Sequence, residues 1–163
     1  MAFNVNIEVD KTLIFNAPAE EVFELLANVP ESAGFFPKLQ SLNKIENNTY
    51  QWLIEEIGHG GHSFQPAYTC EYKIDKENGI ISWAPVWSKD NTAIKGSWVI
   101  DENEGVSSVR FQSSIVVNLP FSKLIKVIVQ AIVKQKFDQI LEQYLDNLQS
   151  NFSNEQVPLV VLG

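Results

Sequence analysis

The sequence predicts an α+β domain. One curved antiparallel sheet of six or seven strands wraps around a long C-terminal helix, and two short helices follow the first strand. Three observations predict it. Apolar and polar residues alternate with period two in successive runs between Phe3 and Val117. Short turn signals join these runs, so consecutive strands pair as hairpins in a single sheet. After Pro120 the apolar period becomes helical, and no proline or glycine interrupts it as far as Phe152.

The first strand carries Phe3, Val5, Ile7 and Val9 on one face and continues through Leu13 and Phe15. Pro18 suits a first helical turn, and Glu20 and Glu21 complement the helix dipole. Val22, Leu25 and Leu26 repeat at helical spacing until Pro30 stops that helix. A second helical turn fits Ser32 to Phe36, ending before Pro37. Leu39 to Glu46 reads as a strand and Asn47-Asn48 as a hairpin turn. Tyr50, Trp52 and Ile54 alternate next, and Gly58 to Ser63 reads as a glycine-rich turn. Phe64, Tyr68, Cys70, Tyr72 and Ile74 alternate, with Pro66 disturbing the start. Ile80 to Trp87, Thr92 to Ile100 and Val109 to Val117 complete the sheet. Phe121 to Phe152 allows a helix of about 28–31 residues. Its apolar face is read as Leu124, Ile128, Ala131, Ile132, Ile140, Leu141, Tyr144 and Leu148. The domain is therefore set at residues 1–152, with 153–163 as a C-terminal tail.

At 163 residues the chain can bury a full core without staples. The single Cys70 cannot form an internal disulfide, and no basic region followed by an apolar run opens the sequence. Both point to the cytoplasm. A net charge of −8 argues against nucleic-acid binding. The charge is uneven. Arg110, Lys123, Lys126, Lys134 and Lys136 lie in residues 105–137, which hold no acid, so the remainder has 7 basic against 20 acidic residues, a net of −13.

Three segments carry a resemblance to a known family. They are Leu13-Ile14-Phe15-Asn16-Ala17-Pro18-Ala19-Glu20-Glu21-Val22-Phe23, then Phe35-Phe36-Pro37-Lys38-Leu39, and the last strand followed by one long helix. Over residues 3–152 the chain resembles the START-related helix-grip superfamily, which includes polyketide cyclases and coenzyme Q-binding proteins. The resemblance implies an apolar cavity between sheet and helix. The superfamily's activities are diverse, so function has to come from the site.

Alternation places Trp52, Ile54, Phe64, Tyr68, Cys70, Tyr72, Ile94, Trp98, Phe111 and Ile115 on inward faces. The helix adds Ile128, Ala131 and Ile132. This set is rich in aromatics and poor in charge, which suits a lipid-like, quinone-like or aromatic ligand held by tyrosine hydroxyls. Trp83 and Trp87 share one face of their strand. Continuing the phase of Trp52 and Ile54 puts Glu56 inside, where an apolar cavity would raise its pKa and suit it to acid–base work. Cys70, with no base near it in sequence, reads as an inert thiol. His59 and His62 are too few for a zinc site. Ser113 and Ser114 lack a nucleophile elbow, and no phosphate-binding glycine loop appears. No metal and no cofactor are expected.

The leading expectation is a binding or transport protein for a hydrophobic small molecule. An alternative is a cyclase or dehydratase using Glu56, Tyr68 and Tyr72. A third is an interaction module acting through the long helix. There Phe121, Ile125, Val129 and Val133 fall off the chosen face beside the lysines, and would meet a membrane surface, a partner protein or a second copy.

Overall fold

The computed structural model describes residues 3–59, 62–86 and 89–153; the side chains of His59 and Ser153 are not among the described groups. The chain begins with strand β1 (Phe3–Phe15), followed by helices α1 (Ala19–Ala27) and α2 (Val29–Ala33). Then come β2 (Leu39–Glu46), β3 (Thr49–Ile54), β4 (Ile57–His59), β5 (His62–Phe64) and β6 (Ala67–Asp75). The strands β7 (Ile80–Pro85), β8 (Thr92–Asn103) and β9 (Val106–Leu119) follow. A 3-10 turn (Lys123–Ile125) leads into helix α3 (Lys126–Ser153).

Seven strands form one antiparallel sheet in the order β1-β9-β8-β7-β6-β3-β2. β1 closes against β9 along its whole length, from Phe3 opposite Leu119 to Phe15 opposite Ser107. The hairpin expectation at Asn47-Asn48 holds, with Asn48 at φ 61°, a conformation asparagine tolerates better than most residues. The glycine-rich segment is more than a turn. β4 and β5 pair as a separate small hairpin, in which a Cβ on Gly58 would overlap the Ser63 backbone. Pro66 lies between β5 and β6, where it removes no ladder hydrogen bond. Trp87 and the tail residues 154–163 lie outside the described residues.

Helix α1 buries Val22, Phe23, Leu25 and Leu26. Pro18 gives it no side-chain cap; instead the Ala19 N–H donates to Glu102 Oε1 at 2.6 Å, which ties the helix start to β8. Asn28 ends α1 and caps α2, its side-chain oxygen accepting from the Glu31 N–H at 3.2 Å. The end of β1 and the segment after α2 meet the far end of α3. Phe15 and Phe152 rings lie 5.4 Å apart, Asn147 Nδ2 donates to the Phe35 carbonyl, and Gln149 Nε2 donates to the Ile14 carbonyl.

α3 lies across the concave face of the sheet, but not in the rotation expected. Its buried residues are Val129, Val133, Phe137, Ile140, Leu141, Tyr144, Leu145, Leu148 and Phe152. Leu124, Ile128 and Ala131 are exposed, and Ile132 is half-buried. Val129 and Val133, expected outside, are core; Phe121 and Ile125 are half-buried against it. The reason is in residues 124–133, where nearly every position is apolar. Such a segment satisfies two helical faces equally, and only the continuation through Phe137, Leu141 and Leu145 selects one.

Candidate functional site

The strand register brings aromatic residues opposite one another on the concave face. Trp52 of β3 faces Tyr68 of β6, Tyr72 faces Trp83 of β7, and Trp98 of β8 faces Phe111 of β9. Directly opposed inward residues in antiparallel strands are close enough for their rings to touch. Trp52 and Tyr68 stack with centroids 5.6 Å apart and planes 15° from parallel. Trp83 links Tyr72 to Trp98, both at 6.0 Å, and Trp98 meets Phe111 at 4.6 Å. Phe36 reaches in beyond α2, edge-on to Trp52, and touches Tyr144 of α3. Gly96 makes room for this wall. A Cβ there would sit 2.7 Å from a ring carbon of Trp83 and would overlap the Gln112 carbonyl.

Between this wall and α3 is a cavity of about 60 Å³. Trp52, Tyr68, Tyr72, Ile94, Trp98, Phe111 and Ile115, all expected at the site, line it together. Ile54 and Cys70 are fully buried but do not reach it, and Phe64 faces elsewhere. Ile128, Ala131 and Ile132 are corrected by the rotation of α3; the helix lines the cavity through Phe137, Leu141 and Tyr144 instead. Trp83, Phe36, Ser32 and Ser113 also line it. Ser113 lies inward by simple alternation between Phe111 and Ile115, a signal visible in the sequence. Phe36 and Ser32 come from irregular backbone, for which alternation offers no signal.

Among the described residues, none that lines the cavity is charged. Its polar atoms are hydroxyls and indole nitrogens. Trp52 Nε1 donates to the Tyr72 hydroxyl at 3.0 Å, and the Tyr144 hydroxyl is hydrogen-bonded to Ser32. Burial pushes the Tyr68, Tyr72 and Tyr144 phenols well above their ordinary range. Burial, with a lesser contribution from the Asp90 charge, pushes the Cys70 thiol up to about 12. Its Sγ donates to the Ile94 carbonyl at 3.2 Å. At neutral pH these groups are donors, not bases.

Glu56 is also corrected. β3 ends at Ile54, so the alternation that would turn Glu56 inward does not reach it. Glu55 and Glu56 are both exposed, Ser63 Oγ donates to Glu56 Oε1 at 2.5 Å, and both carboxylates border a surface hollow with Lys38 and Lys136. Among the described residues that line the cavity, no carboxylate takes the place expected for Glu56.

A second hollow of about 240 Å³ opens between the β4–β5 hairpin and the start of α3. Phe64, Phe121 and Ile125 line it, with Ile128, Ile132 and Val133 of α3. His62 packs edge-on against Phe121 at 5.4 Å. Phe137, one turn beyond Val133, lines the inner cavity, so this turn of α3 stands between the two spaces.

No protein-family model and no curated protein sequence matches the chain. Solved structures match over nearly its whole length. A START superfamily protein from Mycobacterium smegmatis superposes with a TM-score of 0.63 at 13% identity, over 90% of this chain and 97% of that one. The Zhui aromatase/cyclase from a Streptomyces species gives a TM-score of 0.57 at 15% identity, over 88% of this chain and 93% of that one. The di-domain aromatase/cyclase BexL gives 0.58 at 18% identity, over 89% of this chain but 46% of that one. At such identities the likeness concerns architecture. Seven antiparallel strands around one long helix, with two short helices after the first strand, make this the START-related helix-grip fold.

Proposed function

We propose that the protein binds a hydrophobic, partly aromatic small molecule between the sheet and α3 without transforming it. One observation carries this reading: the inner wall is a continuous aromatic surface whose polar atoms are tyrosine and serine hydroxyls and indole nitrogens, with no charged side chain among the described residues. Such a lining recognises shape and one or two polar substituents. It has no group to take a proton at neutral pH, since burial keeps each tyrosine protonated.

The volume adds a condition. Pockets for drug-sized ligands span roughly 300–1,000 Å³, against about 60 Å³ here. A ligand of that size has to displace side chains, and those of α3, of the short helices and of Phe36 are not fixed by a strand ladder. Native mass spectrometry of protein purified without detergent, followed by denaturing extraction, tests the reading. One apolar molecule per chain is expected, and Ser113→Leu, which fills the cavity, is expected to remove it. Empty protein from its native source would overturn the proposal.

The enzyme alternative rests on one feature, the tyrosines that line the cavity, Tyr68 among them. A phenol there can donate to a substrate carbonyl but cannot open a cyclisation by removing a proton. The lack of a base beside it is what favours binding over turnover.

A further inference from the structure

We propose that the N-terminal end of α3, with the 3-10 turn before it, is a docking face for an anionic lipid membrane. The reading goes beyond the cavity and does not depend on its ligand.

The apolar residues there are unusually bare. Leu124 is 95% exposed, Val127 84% and Ile128 66%. With the exposed Ala131 they are spaced at i, i+3, i+4 and i+7, which is one stripe of a helix. The stripe adjoins the second hollow, since Ile128 belongs to both. The apolar surface therefore continues from the helix towards Phe121 and the β4–β5 hairpin.

The charge around the stripe has one sign. Lys123, Lys126 and Lys134 are exposed beside it, and residues 105–137 hold no acid. Lys136 is left out of this group because it shares its hollow with Glu55 and Glu56. The acids gather at the other end of α3, where Glu21, Glu24 and Glu31 border Asn151 and Phe152. A molecule with net charge −8 would be repelled by an anionic surface in most orientations. This end is the one it can present. Apolar side chains ringed by lysines are the composition of a helix that lies in an anionic interface.

Another occupant fits less well. A second copy docked face to face would bring both lysine sets together, because a two-fold interface pairs each patch with itself.

Flotation with lipid vesicles is the test. The full chain is expected to float with vesicles of phosphatidylcholine and phosphatidylserine, not with phosphatidylcholine alone, and to be released by high salt. The double variant Leu124→Ser/Ile128→Ser should weaken binding about tenfold or more, with an unchanged melting curve because both side chains are exposed. Lys123→Glu/Lys126→Glu should abolish it. No association with the anionic vesicles, or equal binding to both kinds, would overturn the proposal. So would a dimer by sedimentation that the Leu124/Ile128 variant dissolves, since a second copy would then own the face.

Discussion

Cys70 sits fully buried between two tyrosines of β6, and folding changes its chemistry more than its surroundings suggest. In the unfolded chain its thiol ionises near 9.0; in the fold, burial holds it protonated to about 12. Raising a pKa on folding means the stability is complete below the unfolded value and falls as pH rises above it. The fall is about 1.4 kcal/mol per pH unit at most, while the unfolded chain alone is ionised. The tyrosines join in, since burial also raises Tyr68, Tyr72 and Tyr144. They begin to contribute before pH 10, so the thiol accounts for only part of the fall between about pH 9 and pH 10. Urea-unfolding free energies should decline over that interval in the native chain and decline less steeply in Cys70→Ala. Equal declines in the two would show that the thiol titrates normally and is open to solvent. The same protonated state makes Cys70 a poor nucleophile, which fits its place behind the cavity wall.

The rotation of α3 is the element-scale feature with most consequence. Val129, Val133, Phe137, Leu141 and Leu145 form one buried row, and Tyr144, Leu148 and Phe152 the next. Truncating a side chain in these rows opens a cavity, whereas truncating one on the exposed stripe does not. Leu148→Ala should cost about 2–5 kcal/mol. Ile128→Ala should stay within about 0.5 kcal/mol. Equal losses in urea denaturation would put the helix in the other rotation and remove the docking face with it. The same helix shows what the sequence could reveal. Its existence and length were legible because nothing between Phe121 and Phe152 breaks a helix. Its rotation was not, because residues 124–133 are apolar on two faces. The sheet was legible strand by strand, and with it the seven cavity residues from Trp52 to Ile115 that alternation turned inward. Glu56 fails for a related reason. Alternation says which side a residue faces only while the strand lasts, and β3 stops two residues earlier. The β4–β5 hairpin was hidden because three-residue strands are too short to show a period.

Across the whole molecule, two apolar spaces flank a single turn of α3. The inner one is about 60 Å³ and the outer about 240 Å³. Val133 lines the outer space and Phe137 the inner. The wall opposite Phe137 belongs to a sheet whose strands are hydrogen-bonded to neighbours on both sides, so it resists collapse better than the helix does. Removing the Phe137 ring should therefore leave a void instead of closing it. The expected loss for Phe137→Ala is about 3–5 kcal/mol. A void lined by apolar side chains stays dry and takes small apolar molecules. Indole should then stabilise the Phe137→Ala protein, with a melting temperature that rises with indole concentration as linkage requires. The native chain should respond less, because its own ring fills the space. If indole moves neither melting temperature, the sheet follows the helix inward and the concave wall is an ordinary core. If the variant responds, the sheet holds its curvature without the helix's help. That rigidity is what a binding protein of this shape needs, since any larger ligand must displace side chains outside the sheet without unmaking the wall it stacks on.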